Sequence, residues 1–81
     1  MSLVKRQELQ ALGPVGALFE NYINRLLTVK ELAVILGASE KTIRHWVLKG
    51  EIPVVRPTPR MVRFIPQAVA RWLAERSIYE S

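Results

Sequence analysis

The stretch from Thr28 to Gly50, TVKELAVILGASEKTIRHWVLKG, decides the fold, because it contains two helices with a very short connection between them. Thr28, followed by Glu31, predicts a capping box at the start of the first helix. Gly37 predicts its end, since glycine readily adopts the left-handed conformation that follows many helices. Ser39 then predicts the N-cap of a second helix, and Gly50 predicts where that helix ends.

The apolar residues of both segments recur at helical spacing, so each predicted helix has one face for a core. These residues are Leu32, Ile35 and Leu36 in the first helix, and Ile43, Trp46 and Val47 in the second. Ala33 is small, as expected where two helices cross closely. Two helices joined by a short turn that contains glycine form a helix-turn-helix. Helical register turns Trp46 and Trp72 inward. We therefore expect both to pack in the core and not to stack on nucleic-acid bases, as aromatic residues do in proteins that bind single strands.

Beyond Gly50 the sequence changes period. Residues 52–65, IPVVRPTPRMVRFI, predict two short strands around a turn that contains Pro57 and Pro59. We call residues 54–64 the wing segment. All of its charged residues are positive: Arg56, Arg60 and Arg63. Pro66 then suits the first turn of a last helix, where its missing N–H is no loss.

Two short helical segments are predicted before Thr28. Residues 2–12 have apolar side chains at Leu3, Leu9 and Leu12, and Gly13-Pro14 ends that helix. Residues 15–27 predict a second short helix. The expected organisation is an N-terminal helical extension over residues 1–25, one domain over residues 26–76 and a tail over residues 77–81. The fold class is mainly α with a small β-hairpin.

Composition excludes several classes of function. The chain has 81 residues, no cysteine and one histidine, so no disulfide, thiolate site or His-rich metal site is expected. No nucleophile–base pair or Gly-rich phosphate loop can be assembled from these residues. We therefore expect that the protein is not an enzyme and that it uses no cofactor. No apolar run approaches the roughly 20 residues that span a bilayer. We therefore expect a cytoplasmic protein with no membrane partner.

The charge points to nucleic acid. The net charge is +5, and nine basic residues against four acidic ones lie between residues 28 and 76. A basic small domain with its excess charge in one segment is typical of nucleic-acid binders. The balance alone is a weak indication, but it coincides with the helix-turn-helix pattern.

Residues 26–75, LLTVKELAVILGASEKTIRHWVLKGEIPVVRPTPRMVRFIPQAVARWLAE, resemble the excisionase-type helix-turn-helix family, which is itself similar to the DNA-binding head of MerR-type regulators. The shared features are the leucine pair before Thr28 and a helix ending in Leu-Gly. A Ser-capped helix with Arg and Trp follows, then Lys-Gly-x-Ile-Pro, a basic wing and a Trp-Leu pair. The turn RPTPRM differs from relatives, which often have a Gly-rich basic turn there.

The resemblance implies a winged helix-turn-helix that binds double-stranded DNA. The second helix, residues 39–49, would enter the major groove, and the wing segment would follow the neighbouring backbone or minor groove. Many such proteins are small phage or mobile-element factors that organise DNA for a recombinase such as an integrase, or that regulate transcription. The expected location is the cytoplasm, in association with the nucleoid. The expected DNA-binding residues are Ser39, Lys41, Thr42, Arg44, His45, Lys49, Arg56, Arg60 and Arg63. A homodimer or a cooperative array on repeated half-sites is expected, because one small domain contacts few base pairs.

Two alternatives stay open. One is a stand-alone MerR-like transcriptional regulator, although the chain lacks the long dimerising coiled coil of such proteins. The other belongs to a different class, a protein-interaction module. Its partner would bind the N-terminal apolar residues Leu18, Phe19, Tyr22 and Ile23. Glu40 also has two interpretations: it suits the positive end of a helix dipole, or it accepts from cytosine in DNA.

Overall fold

The computed structural model describes residues 6–76 of the chain. Within them, five α-helices follow one another: α1 (Arg6–Gln10), α2 (Pro14–Ala17), α3 (Val29–Leu36), α4 (Glu40–Leu48) and α5 (Pro66–Arg76). One 3-10 turn (Glu20–Tyr22) lies between α2 and α3. The mainly helical prediction is confirmed. Pro66 begins α5, as the sequence indicates.

The caps of α3 and α4 form as predicted. The Thr28 N–H donates to Glu31 Oε1 at 3.0 Å, and the Glu31 N–H donates to Thr28 Oγ1 at 3.1 Å, which completes the capping box. The Ser39 hydroxyl accepts from the backbone N–H of Thr42 at 3.1 Å. Gly37 and Gly50 follow the two helices with φ of 66° and 67°. Only glycine adopts this region without a steric penalty, so both helices end where the sequence places glycine.

Helices α3 and α4 pack against each other across the turn, which makes the helix-turn-helix. Ala33 is 6% exposed, while Leu32 and Ile43 are fully buried, so the small residue does lie in the core of the motif. Trp46 of α4 and Trp72 of α5 are half-buried and meet edge to face, with ring centroids 5.5 Å apart. Their prediction as packing residues therefore agrees with their contacts.

The predicted β-hairpin is not confirmed, because no strand forms within residues 6–76. A single antiparallel bridge joins the two arms of the wing segment, which precede and follow its proline-containing turn. The Val55 N–H donates to Arg63 O at 2.8 Å, and the Arg63 N–H donates to Val55 O at 2.9 Å. In an antiparallel ladder the next hydrogen-bonded residues on the first arm lie two positions away. These positions are Pro53 and Pro57, which have no N–H to donate. The prolines therefore limit the hairpin to one bridge.

A second bridge lies on the other side of the same backbone. The Leu27 N–H donates to Phe64 O at 2.8 Å, and the Phe64 N–H donates to Leu27 O at 2.9 Å. Both side chains are fully buried. Arg63 and Phe64 thus connect the wing segment on one edge to the chain that enters α3 on the other.

The N-terminal extension differs from its predicted form. The helix expected over residues 2–12 is described from Arg6 and ends at Gln10, while Leu3 and the predicted tail 77–81 lie outside the described residues. The single helix expected over residues 15–27 is wrong, since α2 has four residues and a 3-10 turn follows. Helix α2 folds back on α1 and α5. Tertiary packing has overridden a helical apolar spacing here.

The extension and the helix-turn-helix contribute to one core. Leu9 and Phe19 are fully buried in the same cluster as Leu27 and Val69. Phe19 is therefore used internally, and Tyr22 and Ile23 pack against this cluster. Of the apolar residues considered for a partner, Leu18 keeps 45% of its surface exposed. The boundary at residue 26 stays a prediction.

A substitution at Gly16 tests how closely α2 packs against α1. A Cβ built on Gly16 would lie 1.6 Å from the Leu9 carbonyl oxygen, so α1 must move to admit a methyl group. We expect Gly16→Ala to lower the free energy of unfolding by about 1–3 kcal/mol, the usual cost of overpacking. Thermal unfolding by circular dichroism measures this. Ala17→Ser, at the exposed neighbouring position, should leave the midpoint nearly unchanged, and an equally stable Gly16→Ala protein would contradict the close approach.

Glu31 gives the capping box a dependence on pH. The hydrogen bond from the Thr28 N–H, together with the nearby Arg25 guanidinium, holds the pKa of the Glu31 carboxyl below its ordinary value of 4.5. A carboxyl with a lowered folded-state pKa stabilises the fold above the unfolded value, and the gain is lost as pH falls through the folded one. At neutral pH we expect Glu31→Gln to destabilise by about 0.3–1 kcal/mol.

The measurement is urea unfolding of both proteins across a pH series. The difference between wild type and Glu31→Gln should shrink as pH falls from 4.5 through the lowered pKa of Glu31, and it should be lost below that pKa, where both side chains are neutral. Glu75→Gln, at an exposed position of α5, is the matched control. A Glu31→Gln difference that does not vary with pH would rule out the charged cap.

Candidate nucleic-acid interface

A cleft of about 510 Å³ lies between the start of α3, the outer face of α4 and the wing segment. Its lining is strongly cationic. One carboxylate, that of Glu40, lines it. The cations are Lys30, Arg44, Arg56, Arg60 and Arg63. With five cations against one acid, the cleft is suited to a polyanion.

The two bridges at Arg63 and Phe64 bring these cations together. Arg56 directly follows Val55, the residue paired with Arg63, so both arginines lie at the base of the wing segment. The Arg63 guanidinium donates from Nη1 to the Val62 carbonyl at 2.8 Å, and this side chain is half-buried. Arg60 is exposed at the tip between the arms. The positions of the wing arginines are therefore set by backbone pairing.

Arg44 is held by a local ion pair. Its Nη2 lies 3.0 Å from Glu40 Oε1, one turn earlier on α4, and the two side chains are 61% and 42% exposed. Exposed pairs of this kind contribute little to stability, about 0.2–1 kcal/mol. Arg44 can therefore exchange this carboxylate for a phosphate or a guanine edge at small cost.

A second concavity, of about 460 Å³, lies on the other side of α4. It is lined by Lys41, Thr42, Arg44, His45 and Leu48. Arg44 and Leu48 line both this groove and the cleft. Helix α4 thus separates two concavities.

The predicted site residues fall into three groups. The cleft holds Arg44 and the three arginines of the wing segment, and the groove holds Lys41, Thr42 and His45 together with Arg44. Ser39 and Lys49 are exposed at the two ends of α4 and line neither concavity. The Ser39 and Thr42 hydroxyls lie 2.9 Å apart in the cap, so both already have a partner.

Two residues that reasoning from sequence did not select belong to this surface. Lys30 lines the cleft from the first turn of α3, and Leu48 lines both concavities from the last turn of α4. The sequence shows that Lys30 is on a helix, but not which end of α3 faces the wing segment. For Leu48, an exposed apolar residue gives no signal in a search for charged contacts.

Other kinds of site are not found in the described part of the chain. Residues 6–76 hold no group of three or more His, Cys, Asp or Glu that could bind a metal ion. Among these residues, no helix has both the length and the apolar character needed to cross a membrane.

Comparison with known proteins identifies the family. Residues 26–77 match the model of a helix-turn-helix domain family, which covers more than half of the chain. The chain belongs to this family and is a helix-turn-helix DNA-binding protein, as the resemblance predicted. Double-stranded DNA is its partner, and families of this kind are typically not enzymes. No curated protein and no solved structure matches the chain significantly.

We expect Glu40 to weaken non-specific DNA binding, because its carboxylate lies among the five cations of the cleft and would repel a phosphate bound there. We expect Glu40→Gln to raise affinity for random-sequence duplex at low salt by up to about fivefold, from an ion-pair energy of about 1 kcal/mol. Fluorescence anisotropy with a labelled duplex measures this. Glu75→Gln makes the same change of charge outside the cleft and should have a smaller effect. Equal effects of the two variants would show that net charge alone matters.

Proposed function

We propose that this protein binds duplex DNA sequence-specifically in the manner of an excisionase, as an accessory factor in recombination or a small regulator of a mobile element. The observation that carries this proposal is the cleft with five cations between α4 and the wing segment. Lysine and arginine that neutralise phosphates release condensed counterions, which supplies much of the affinity of such proteins. The basic cleft accounts for affinity, and α4 accounts for sequence reading.

Helix α4 enters the major groove in this proposal. With its side chains a helix is about 10–12 Å across, which fits the roughly 12 Å width of that groove. Lys41 and Arg44 project from its exposed outer face. Arg44 can bind guanine through two hydrogen bonds, which discriminates against other bases by about 1–3 kcal/mol. His45 and Thr42, which line the second concavity of the protein, add further contacts to the DNA.

The wing segment contacts the sugar-phosphate backbone or the minor groove beside α4. Arg60 is the outermost of its arginines, at the tip between the two arms, whereas Arg63 is partly engaged with the Val62 carbonyl. Pro57 and Pro59 fix part of the backbone on either side of Thr58. Arg60 is therefore presented on a restricted loop, which reduces the entropy lost on binding.

A recombination factor and a regulator need the same DNA contacts. A monomer of this size contacts few base pairs, so we propose cooperative or dimeric binding to repeated half-sites. An integrase encoded beside this protein would favour the role in recombination. The stand-alone MerR-like regulator is less favoured, since no long dimerising helix lies within residues 6–76. The interaction module is less favoured because Phe19 is buried.

The two arginines should have different effects on DNA binding. We expect Arg60→Ala to weaken binding to all duplexes and to reduce the slope of log K against log salt by about 0.9, one phosphate contact. We expect Arg44→Ala to cost about 1–3 kcal/mol on the preferred site and to relax its preference at one base pair. Duplexes selected from a random pool by the wild-type protein, followed by gel shifts over a salt series, measure both.

Arg71→Ala is the matched control. It removes the same charge from α5, where Arg71 lies 3.8 Å from Glu8 and outside the cleft. This variant should retain most of the affinity, the salt slope and the base preference. If Arg44→Ala and Arg60→Ala behave as Arg71→Ala does, the cleft is not the DNA site. Repeats within the selected sequences report whether more than one protomer binds.

A further inference from the structure

Leu48 is a large apolar residue on the cationic face of α4. It is 85% exposed, more than any other large hydrophobic residue within residues 6–76. It follows Arg44 by four residues, so the two side chains lie on the same face of the helix. A single exposed leucine on a surface is ordinary. The position of Leu48, and not its exposure alone, is what sets it apart.

Leu48 and Arg44 form the ridge between the two concavities of the site. Both residues line the cleft beside the wing segment, and both also line the second concavity, which contains Lys41 and His45. A residue that borders concavities on both sides projects between them. The ridge presents a guanidinium and, one helical turn later, an isobutyl group.

The floor of the major groove offers matching chemistry. Its base edges carry hydrogen-bonding groups and one apolar group, the methyl at C5 of thymine. Arginine pairs with guanine, and apolar side chains contact that methyl. We infer that Leu48 contacts the C5 methyl of a thymine close to the base pair or phosphate that Arg44 contacts, and thereby sets a preference for thymine. The inference rests on the proposed function of α4.

The surroundings favour DNA over a protein partner. Apolar interfaces between proteins are contiguous and depleted of charge at their centre. Around Leu48 the two concavities instead hold Lys41, Arg44, Arg56 and Arg60. Val29, Val47 and Val62 also line the cleft, but they are half-buried, so Leu48 is the exposed apolar residue among these cations. Such a residue fits a major groove whose walls are phosphates and whose floor carries methyl groups.

Replacing thymine by uracil removes this methyl group alone. Duplexes selected by the wild-type protein from a random pool would be synthesised once with thymine and once with uracil. Burying one methyl group is worth about 0.8 kcal/mol, which corresponds to about fourfold in affinity. We expect wild type to bind the thymine duplex about fourfold more tightly than the uracil duplex, measured by fluorescence anisotropy. Leu48→Ala should bind both duplexes with the same affinity.

Val34→Ala is the matched control, because Val34 is 75% exposed on α3 and lines neither concavity. It should retain the wild-type preference for thymine. The inference is overturned if wild type does not discriminate between the duplexes, or if Leu48→Ala still does, as it would if the methyl acts through DNA shape. Failure of the proposed function gives a different result, since wild type would then bind the selected thymine duplex no more tightly than a random-sequence duplex.

Discussion

Two backbone bridges that share the Arg63–Phe64 segment position the rest of the site. On one edge, Phe64 pairs with Leu27, immediately before α3 begins. On the other edge, Arg63 pairs with Val55 and closes the base of the wing segment. Because Leu27 and Phe64 are fully buried, this segment is anchored in the core and not only by hydrogen bonds. The cationic loop is thereby held beside α4 although no strand forms in residues 6–76.

The packing of the remaining helices supports this arrangement. Helix α3 is fixed by its capping box and packs on α4, and Ala33 and Ile43 of the two helices are buried in the core. Helix α5 meets α4 through the edge-to-face contact of Trp46 and Trp72. The apolar side of α4 therefore packs against α3 and against α5, and its charged residues remain on the outer surface. A chain of 81 residues obtains a defined binding face from a small core.

One carboxylate lies among the cations of the cleft. Glu40 reduces the charge of the cleft and holds Arg44 by an exposed ion pair. We expect this carboxylate to repel phosphates within the cleft, whereas Arg44 breaks its exposed pair with Glu40 at small cost. The proposed contact of Leu48 with thymine would add preference without adding charge. In this proposal, affinity comes from the cations of the cleft, including those of the wing segment, and specificity comes from Arg44 and Leu48 on α4.

The sequence by itself determined the helix-turn-helix, because capping residues and glycines act locally: Thr28, Ser39, Gly37 and Gly50 each behave as predicted. It also indicated the basic residues around α4, since charge can be read without coordinates. Only the tertiary structure decided the form of the extension, where folding back on α1 and α5 outweighs helical spacing. It also decided the extent of the hairpin. The pairing of Val55 with Arg63 leaves Pro53 and Pro57 at the two positions where the next hydrogen bonds of the ladder would form. The cleft itself needed the fold, because Lys30 and the wing arginines are far apart in sequence and are brought together by the pairing of Leu27 with Phe64.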